Sequence, residues 1–135
     1  MKKNRVNSDL ITNFYKKVES KELSEVFMMT FPIALIHKTI FTHAESLFKE
    51  HFDLLKSEID VLASLYTNGG VLSPTQLYDL TIFSSGGTTK VLKRLQKKDF
   101  IYRKKDSKDK RCMLVCLSRN GEDIIKESLC DISKE

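Results

Sequence analysis

Eleven basic side chains stand between Ser84 and Arg111: Lys90, Lys93, Arg94, Lys97, Lys98, Arg103, Lys104, Lys105, Lys108, Lys110 and Arg111. Only Asp99, Asp106 and Asp109 oppose them, so this window carries +8. The rest of the chain has 12 basic and 15 acidic residues and carries −3. One short stretch therefore holds more than the net charge of +5 for the whole protein. Such asymmetry is the electrostatic footprint of a surface that meets a polyanion. For any single lysine the plainer reading is solvation; it is the clustering that points to a partner.

The other reactive side chains form no constellation. There is no Gly-rich phosphate loop, no pair of carboxylates in a catalytic frame and no nucleophile beside a base, so the chain reads as a non-enzyme without a cofactor. His37, His43 and His51 fall on one helical stretch at spacings of six and eight, which do not share a face, and they make no metal site. Cys112, Cys116 and Cys130 are odd in number and lack metal-type spacing, which argues against a disulfide framework and for a reducing cytoplasm. On one strand, the alpha carbons of Cys112 and Cys116 would lie about 13 Å apart, too far for a mutual disulfide. All three cysteines read as small buried or half-buried apolar residues. The sharper alternative is a redox role, with Cys130 pairing across a dimer.

The elements that must position the cations can be traced along the chain. Its 135 residues suggest one domain, and a composition of 41% apolar and 30% charged residues reads as globular. No segment approaches the roughly 20 apolar residues of a membrane span. The basic start, Met1 to Arg5, has no apolar core behind it, so export is not expected.

Residues 8–31 carry apolar positions at helical spacing (Leu10, Ile11, Phe14, Tyr15, Val18, then Leu23, Val26, Phe27), with Ser8 as N-cap. The pattern blurs at 20–22, and Pro32 is expected to close this region and open the next helix. From Ile33 to Phe52 a wide apolar stripe suits burial on more than one side. Ser57 then caps a helix that buries Ile59, Leu62, Ala63, Leu65 and Tyr66, and Asn68-Gly69-Gly70 ends it. Val71-Leu72 reads as a very short strand.

Ser73-Pro74-Thr75-Gln76 is a capping box with proline at the first helical position, opening a helix of about seven residues that buries Leu77 and Leu80. After a turn through Thr81–Phe83, Ser84 or Ser85 caps a second helix to about Lys98, with Thr88, Leu92 and Leu95 inward. Gly86 and Gly87 in its first turn allow close approach of a phosphate to the helix N-terminus. A short helix, a tight turn and a longer basic helix make a helix-turn-helix. Phe100–Arg103 reads as a strand and Met113, Val115 and Leu117 as its return, with the polar run Lys104–Arg111 as a projecting hairpin tip. Ser118 opens a last helix to about Ile132, with Glu122 and Asp123 suiting its dipole.

These blocks resemble the MarR family of winged helix-turn-helix regulators. Ser57–Leu65 is similar to that family's helix before the helix-turn-helix. Ser84–Leu95 is similar to its recognition helix, and Phe100–Arg103 to the strand that follows. The wing pattern Asp-x-Arg-x-x-x-Val-x-Leu-Thr is matched by Asp109, Arg111, Val115 and Leu117, with Ser118 in place of Thr. The likeness spans about residues 33–127.

The resemblance implies a mainly α fold with a small β-hairpin wing and flanking dimerisation helices. It implies a homodimer on a pseudo-palindromic double-stranded DNA operator, acting as a repressor. The recognition helix would place Ser85, Thr89, Lys90, Lys93 and Arg94 in the major groove. Arg111, steadied by Asp109, would reach the minor groove; by charge alone Lys97, Lys98, Lys104, Lys105, Lys108 and Lys110 are expected to touch phosphates, giving affinity without sequence choice. Release by a small aromatic ligand, known for many members, makes such a ligand a candidate partner.

On this reading residues 1–32 form an N-terminal helical extension for dimerisation and 33–56 a linking helix. Residues 57–117 form the DNA-binding domain and 118–135 a terminal helix. Asp99 stands where the family has Gly at the end of the recognition helix. Only 17 residues follow Ser118, where the family has two dimerisation helices, so the N-terminal extension is expected to supply part of the interface. The alternative function is a winged-helix protein-interaction module that has lost specific DNA binding; the +8 window speaks against it.

Overall fold

The computed structural model describes residues 8–19, 21, 24–81 and 85–132. In order they form helices α1 (Ser8–Val18), α2 (Glu25–Phe52) and α3 (Lys56–Thr67), strand β1 (Val71–Leu72), helices α4 (Pro74–Leu80) and α5 (Ser85–Lys97), strands β2 (Ile101–Lys105) and β3 (Met113–Leu117), and helix α6 (Arg119–Ile132). Contacts divide the chain into two compact units, Met1–Leu47 and Phe48–Glu135.

In the first unit α1 packs on the beginning of α2 through aromatic rings. Phe14 stacks on Phe31 with centroids 4.9 Å apart, and Phe31 stacks on Phe27 at 5.2 Å. Pro32, expected to separate two helices, instead lies buried inside α2. Proline has no N–H, so the Met28 carbonyl loses its usual donor four residues on. The Tyr15 hydroxyl of α1 donates to that carbonyl at 3.3 Å. A neighbouring side chain thus offsets the loss locally, and the helix continues.

The stripe on α2 is less buried than its width suggests. Ala44 and Phe48 are covered, whereas Ile33 and Ile40 are largely exposed, as are Val26 at 70% and Met29 at 68%.

The second unit is built on α3, which packs against α4, α5, α6 and β3. Its Ile59, Val61, Leu62 and Leu65 are buried with Leu54, Leu77, Val91, Leu92, Leu95, Ile101, Val115 and Ile125. Each such large aliphatic side chain contributes roughly 1.5–3 kcal/mol by leaving water. Tyr66 and Leu80, expected inside, are exposed, Leu80 at 50%.

α3 begins two residues earlier than a Ser57 cap would place it. Leu55 occupies the capping position, and its N–H is met by the Glu58 carboxylate at 2.8 Å. The Ser73 capping box forms as expected: Ser73 Oγ accepts from the Gln76 N–H, and Gln76 Oε1 accepts from the Ser73 N–H. The turn residues 82–84, including the Ser84 cap, lie outside the described residues.

The sheet has three strands in the order β1-β3-β2, all antiparallel, so the short β1 adds to the wing hairpin as a third strand. β2 runs on to Lys105, which pairs with Met113. Lys104 and Lys105, assigned above to the hairpin tip, are therefore strand residues. Cys112 precedes β3, Cys116 is buried within it, and Cys130 on α6 is exposed rather than half-buried.

The end of α5 is tied by two hydrogen bonds, Asp99 N–H to the Gln96 carbonyl and Phe100 N–H to the Leu95 carbonyl. This pattern requires a left-handed residue, and Asp99 has φ 59°. A residue with a Cβ is strained there, so Asp99→Gly is expected to stabilise the fold by about 0.5–1 kcal/mol. A urea titration would show this as a higher midpoint at unchanged slope.

Candidate nucleic-acid interface

The helix-turn-helix is held from within. Thr88, Val91, Leu92 and Leu95 of α5 face the core and fix its rotation about its own axis. The opposite face presents Thr89, Lys90, Lys93 and Lys97, all exposed, while Ser85 opens the helix. Lys90, Lys93 and Lys97 recur at helical spacing on this outward face, which gives a row of cations rather than a scatter.

The wing is a hairpin whose loop, residues 106–112, is shaped by its two aspartates. Asp106 Oδ1 accepts the Lys108 N–H and Asp109 Oδ1 accepts the Arg111 N–H, both at 3.0 Å. Asp106 N–H to the Cys112 carbonyl and Cys112 N–H to the Asp109 carbonyl close the loop. Asx turns of this kind stiffen a polar tip that has no core of its own. Lys105, Lys108, Asp109, Lys110 and Arg111 are all exposed on it. Asp109 thus steadies Arg111 through its main chain.

Arg94 is placed differently from the other α5 cations. Its Nε lies 3.4 Å from Glu58 Oε1, and its Nη2 donates to Ser57 Oγ at 3.3 Å. Lys98 also turns inward, donating to Glu58 Oε2 at 3.1 Å and to the Asp53 carbonyl at 2.7 Å. Asp53 in turn pairs with Lys49, whose ammonium holds the exposed Asp53 carboxyl below its usual range.

Glu58 is fully buried. Sequence reasoning passed over it, along with Ser57 and the inward role of Lys98. A signal was present: Glu58 sits on the same stripe as Leu62 and Leu65, where a carboxylate requires cationic partners. Arg94 and Lys98, four residues apart, share the face that meets it.

Behind the wing, Ser118 joins the ends of three elements. Its N–H donates to the Phe100 carbonyl, its Oγ donates to the Asp99 carbonyl at 2.6 Å, and the same Oγ accepts the Gly121 N–H. The exit of α5, the start of β2 and the first turn of α6 are pinned at one point.

Two helices separated by four residues, the second basic on its outer face, with a cationic antiparallel hairpin beyond it, define a winged helix-turn-helix protein. A family model described as MarR family matches residues 54–113. The chain is 31% identical over 116 residues to the HTH-type transcriptional regulator SarZ of Staphylococcus aureus, covering 86% of this chain and 75% of that protein.

The fold is shared with a crystal structure of NadR in complex with 4-hydroxyphenylacetate, at a TM-score of 0.73 and 20% identity over 85% of this chain and 77% of the other. It is also shared with a mutant MarR from E. coli complexed with operator DNA, at a TM-score of 0.59 and 24% identity, covering 78% and 76% of the two chains. The chain belongs to the MarR family of winged-helix transcriptional regulators. None of its described helices is long and apolar enough to cross a membrane.

Proposed function

We propose that this protein is a cytoplasmic, non-catalytic repressor that binds a pseudo-palindromic double-stranded DNA operator as a homodimer. The observation that carries the reading is the outward row Lys90, Lys93 and Lys97 on α5 beside the exposed wing cations Lys105, Lys108, Lys110 and Arg111. In this reading α5 enters the major groove with Ser85, Thr89, Lys90, Lys93 and Arg94. Arg and Lys can pair with guanine edges, and Ser and Thr can reach bases or phosphates. Lys97, Lys105, Lys108 and Lys110 neutralise phosphates and set affinity without sequence choice. Arg111, on a loop stiffened by Asp109, enters the minor groove, where a narrow groove concentrates negative potential. The operator complex of the E. coli relative supports this mode of binding.

Dimerisation is supported by the exposed apolar side chains of the first unit, Val26, Met29, Ile33 and Ile40, since contiguous apolar surface of this kind usually marks an interface. Residues 1–32 are the dimerisation extension, 33–56 the link, 57–117 the DNA-binding domain and 118–135 a short dimerisation helix. Release by a small aromatic ligand is supported by the complex of NadR with 4-hydroxyphenylacetate. An open cleft of about 240 Å³ lies between α3 and α4, lined by Asp60, Ala63, Ser64, Thr67, Leu80 and Thr81. It falls below the roughly 300–1,000 Å³ usual for ligand sites.

Fluorescence anisotropy with a labelled random-sequence duplex tests the reading. Wild type should bind at low salt, with a log–log salt slope near −5 if about six phosphates are neutralised. Arg111→Ala should weaken binding by roughly five- to twentyfold, the range of a single well-placed arginine contact. A folded wild type that ignores the duplex at low salt would replace this reading with the protein-interaction module.

A further inference from the structure

Glu58 is a carboxylate with no exposed surface, on a helix whose neighbouring stripe positions are leucines. Such a group is tolerated only when its oxygens are well partnered. Here Oε2 accepts from the Leu55 N–H and from Lys98 Nζ, whereas Oε1 has no hydrogen-bond partner and is balanced only by the ion pair with Arg94 Nε at 3.4 Å. The contact with Arg94 has a defined geometry. Nε meets Glu58 and Nη2 meets Ser57 Oγ, so one edge of the guanidinium is docked on the first turn of α3. A guanidinium carries five N–H donors in a fixed plane. One of them, on Nη2, bonds Ser57 Oγ, while Nε is held beside Glu58 Oε1 by charge alone; the three donors on Nη1 and the outer side of Nη2 point away from this contact. The Arg94 side chain is 43% exposed, so that end of the plane is open to a partner.

A free arginine gives up considerable rotamer freedom when it is ordered on binding. In this chain the ordering is already done before any ligand arrives. We infer that Glu58 is a positioning residue that, with Ser57, holds the Arg94 guanidinium so that its Nη1/Nη2 end addresses a pair of acceptors on DNA. Those acceptors are the O6/N7 edge of a guanine or two oxygens of a phosphate; both accept a bidentate guanidinium. The inference rests on the DNA-binding reading and adds to it a buried residue that never touches DNA. Lys98 completes the site by neutralising the second carboxylate oxygen, which leaves Arg94 its outward donors.

The test is a double-mutant cycle on the full chain. Wild type, Glu58→Gln, Arg94→Ala and the double variant are titrated against two labelled duplexes. One is enriched by wild type from a random pool and the other is its scrambled counterpart. Removing a buried negative charge would by itself tighten binding to any DNA, so a loss of affinity cannot come from net charge. Glu58→Gln should weaken the enriched duplex about tenfold, within the range of one bidentate contact. In the Arg94→Ala background the same change should alter affinity by less than about twofold, because the positioned group is gone.

Loss confined to the enriched duplex identifies a guanine edge, and equal loss on both duplexes identifies a phosphate. Ser57→Ala removes only the Nη2 anchor on a half-buried side chain and should move affinity in the same direction by a smaller factor, which keeps the test decisive should Glu58→Gln fail to fold. Equal effects of Glu58→Gln with and without Arg94, or unchanged affinity in Ser57→Ala and Glu58→Gln alike, would overturn the inference. A wild type that enriches no duplex would overturn the DNA reading first and this one with it.

Discussion

Gly121→Ala is expected to destabilise the protein by about 3 kcal/mol, at the upper end of what overpacking usually costs. A Cβ at this position would lie 2.0 Å from the Phe100 carbonyl oxygen and 2.9 Å from both its carbon and a methyl of Leu117. The obstacle is backbone, and it is held in place. The Phe100 carbonyl accepts the Ser118 N–H, and the Phe100 N–H closes the cap of α5. Relieving the clash therefore requires α6 to lift from the β2 entry, breaking the junction at Ser118. Alanine has the better helix propensity by roughly 1 kcal/mol, which offsets only part of this. For a chain of this size the change corresponds to a fall of about 10 °C in melting temperature, readable by circular dichroism. An unchanged melting temperature would mean that α6 and Phe100 do not approach this closely in solution.

The second large effect concerns binding. The triple variant Lys90→Ala/Lys93→Ala/Lys97→Ala should lose DNA affinity by roughly two orders of magnitude at low salt and show a log–log salt slope shallower by about 0.9, the contribution of the one phosphate assigned to Lys97. All three side chains are exposed on the outer face of α5, away from Thr88, Leu92 and Leu95, so the fold should survive the substitutions. Alanine is also a better helix former than lysine. The affinity loss and the change in slope must appear together. A weaker affinity at the wild-type slope would place Lys97 outside the phosphate contact and leave the loss to Lys90 and Lys93 in the groove. A protein-interaction surface of mainly apolar character would change neither quantity appreciably.

The two experiments probe different levels of the same device. Gly121 and Ser118 hold the end of α5, the β2 entry and α6 together, and the lysines act only if α5 is held. Glu58 holds the opposite flank, where α3 meets Arg94 and Lys98. α5 is thus fixed by its buried Leu92 and Leu95, by a charge cluster on one side and by a backbone junction at its end.

Much of this was legible in residue order. The capping box at Ser73, the glycines after Thr67, the periodic Leu92 and Leu95 and the alternation around Val115 are local signals. Each acts within a few residues, and each appears where it was expected. The clustering of cations between Ser84 and Arg111 is equally local, because charge that is close in sequence stays close on one helix and one hairpin.

What order alone did not reveal depends on partners distant in the chain. Pro32 breaks a helix in isolation, yet here a hydroxyl thirteen residues away meets the stranded carbonyl. Leu80 and Tyr66 fit their stripes but are left partly open, Leu80 at the rim of the cleft beside α3 and Tyr66 with the Lys126 ammonium of α6 over its ring. Arg94 reads like any other cation of α5 until Glu58, on another helix, captures one edge of it. By itself, then, the sequence determined the class of fold, the order of its elements and the location of the charge, because those follow from periodicity, capping and composition. Only the tertiary structure decided which cations stand free on the outer face and which are anchored on a buried carboxylate, because that depends on which helices meet.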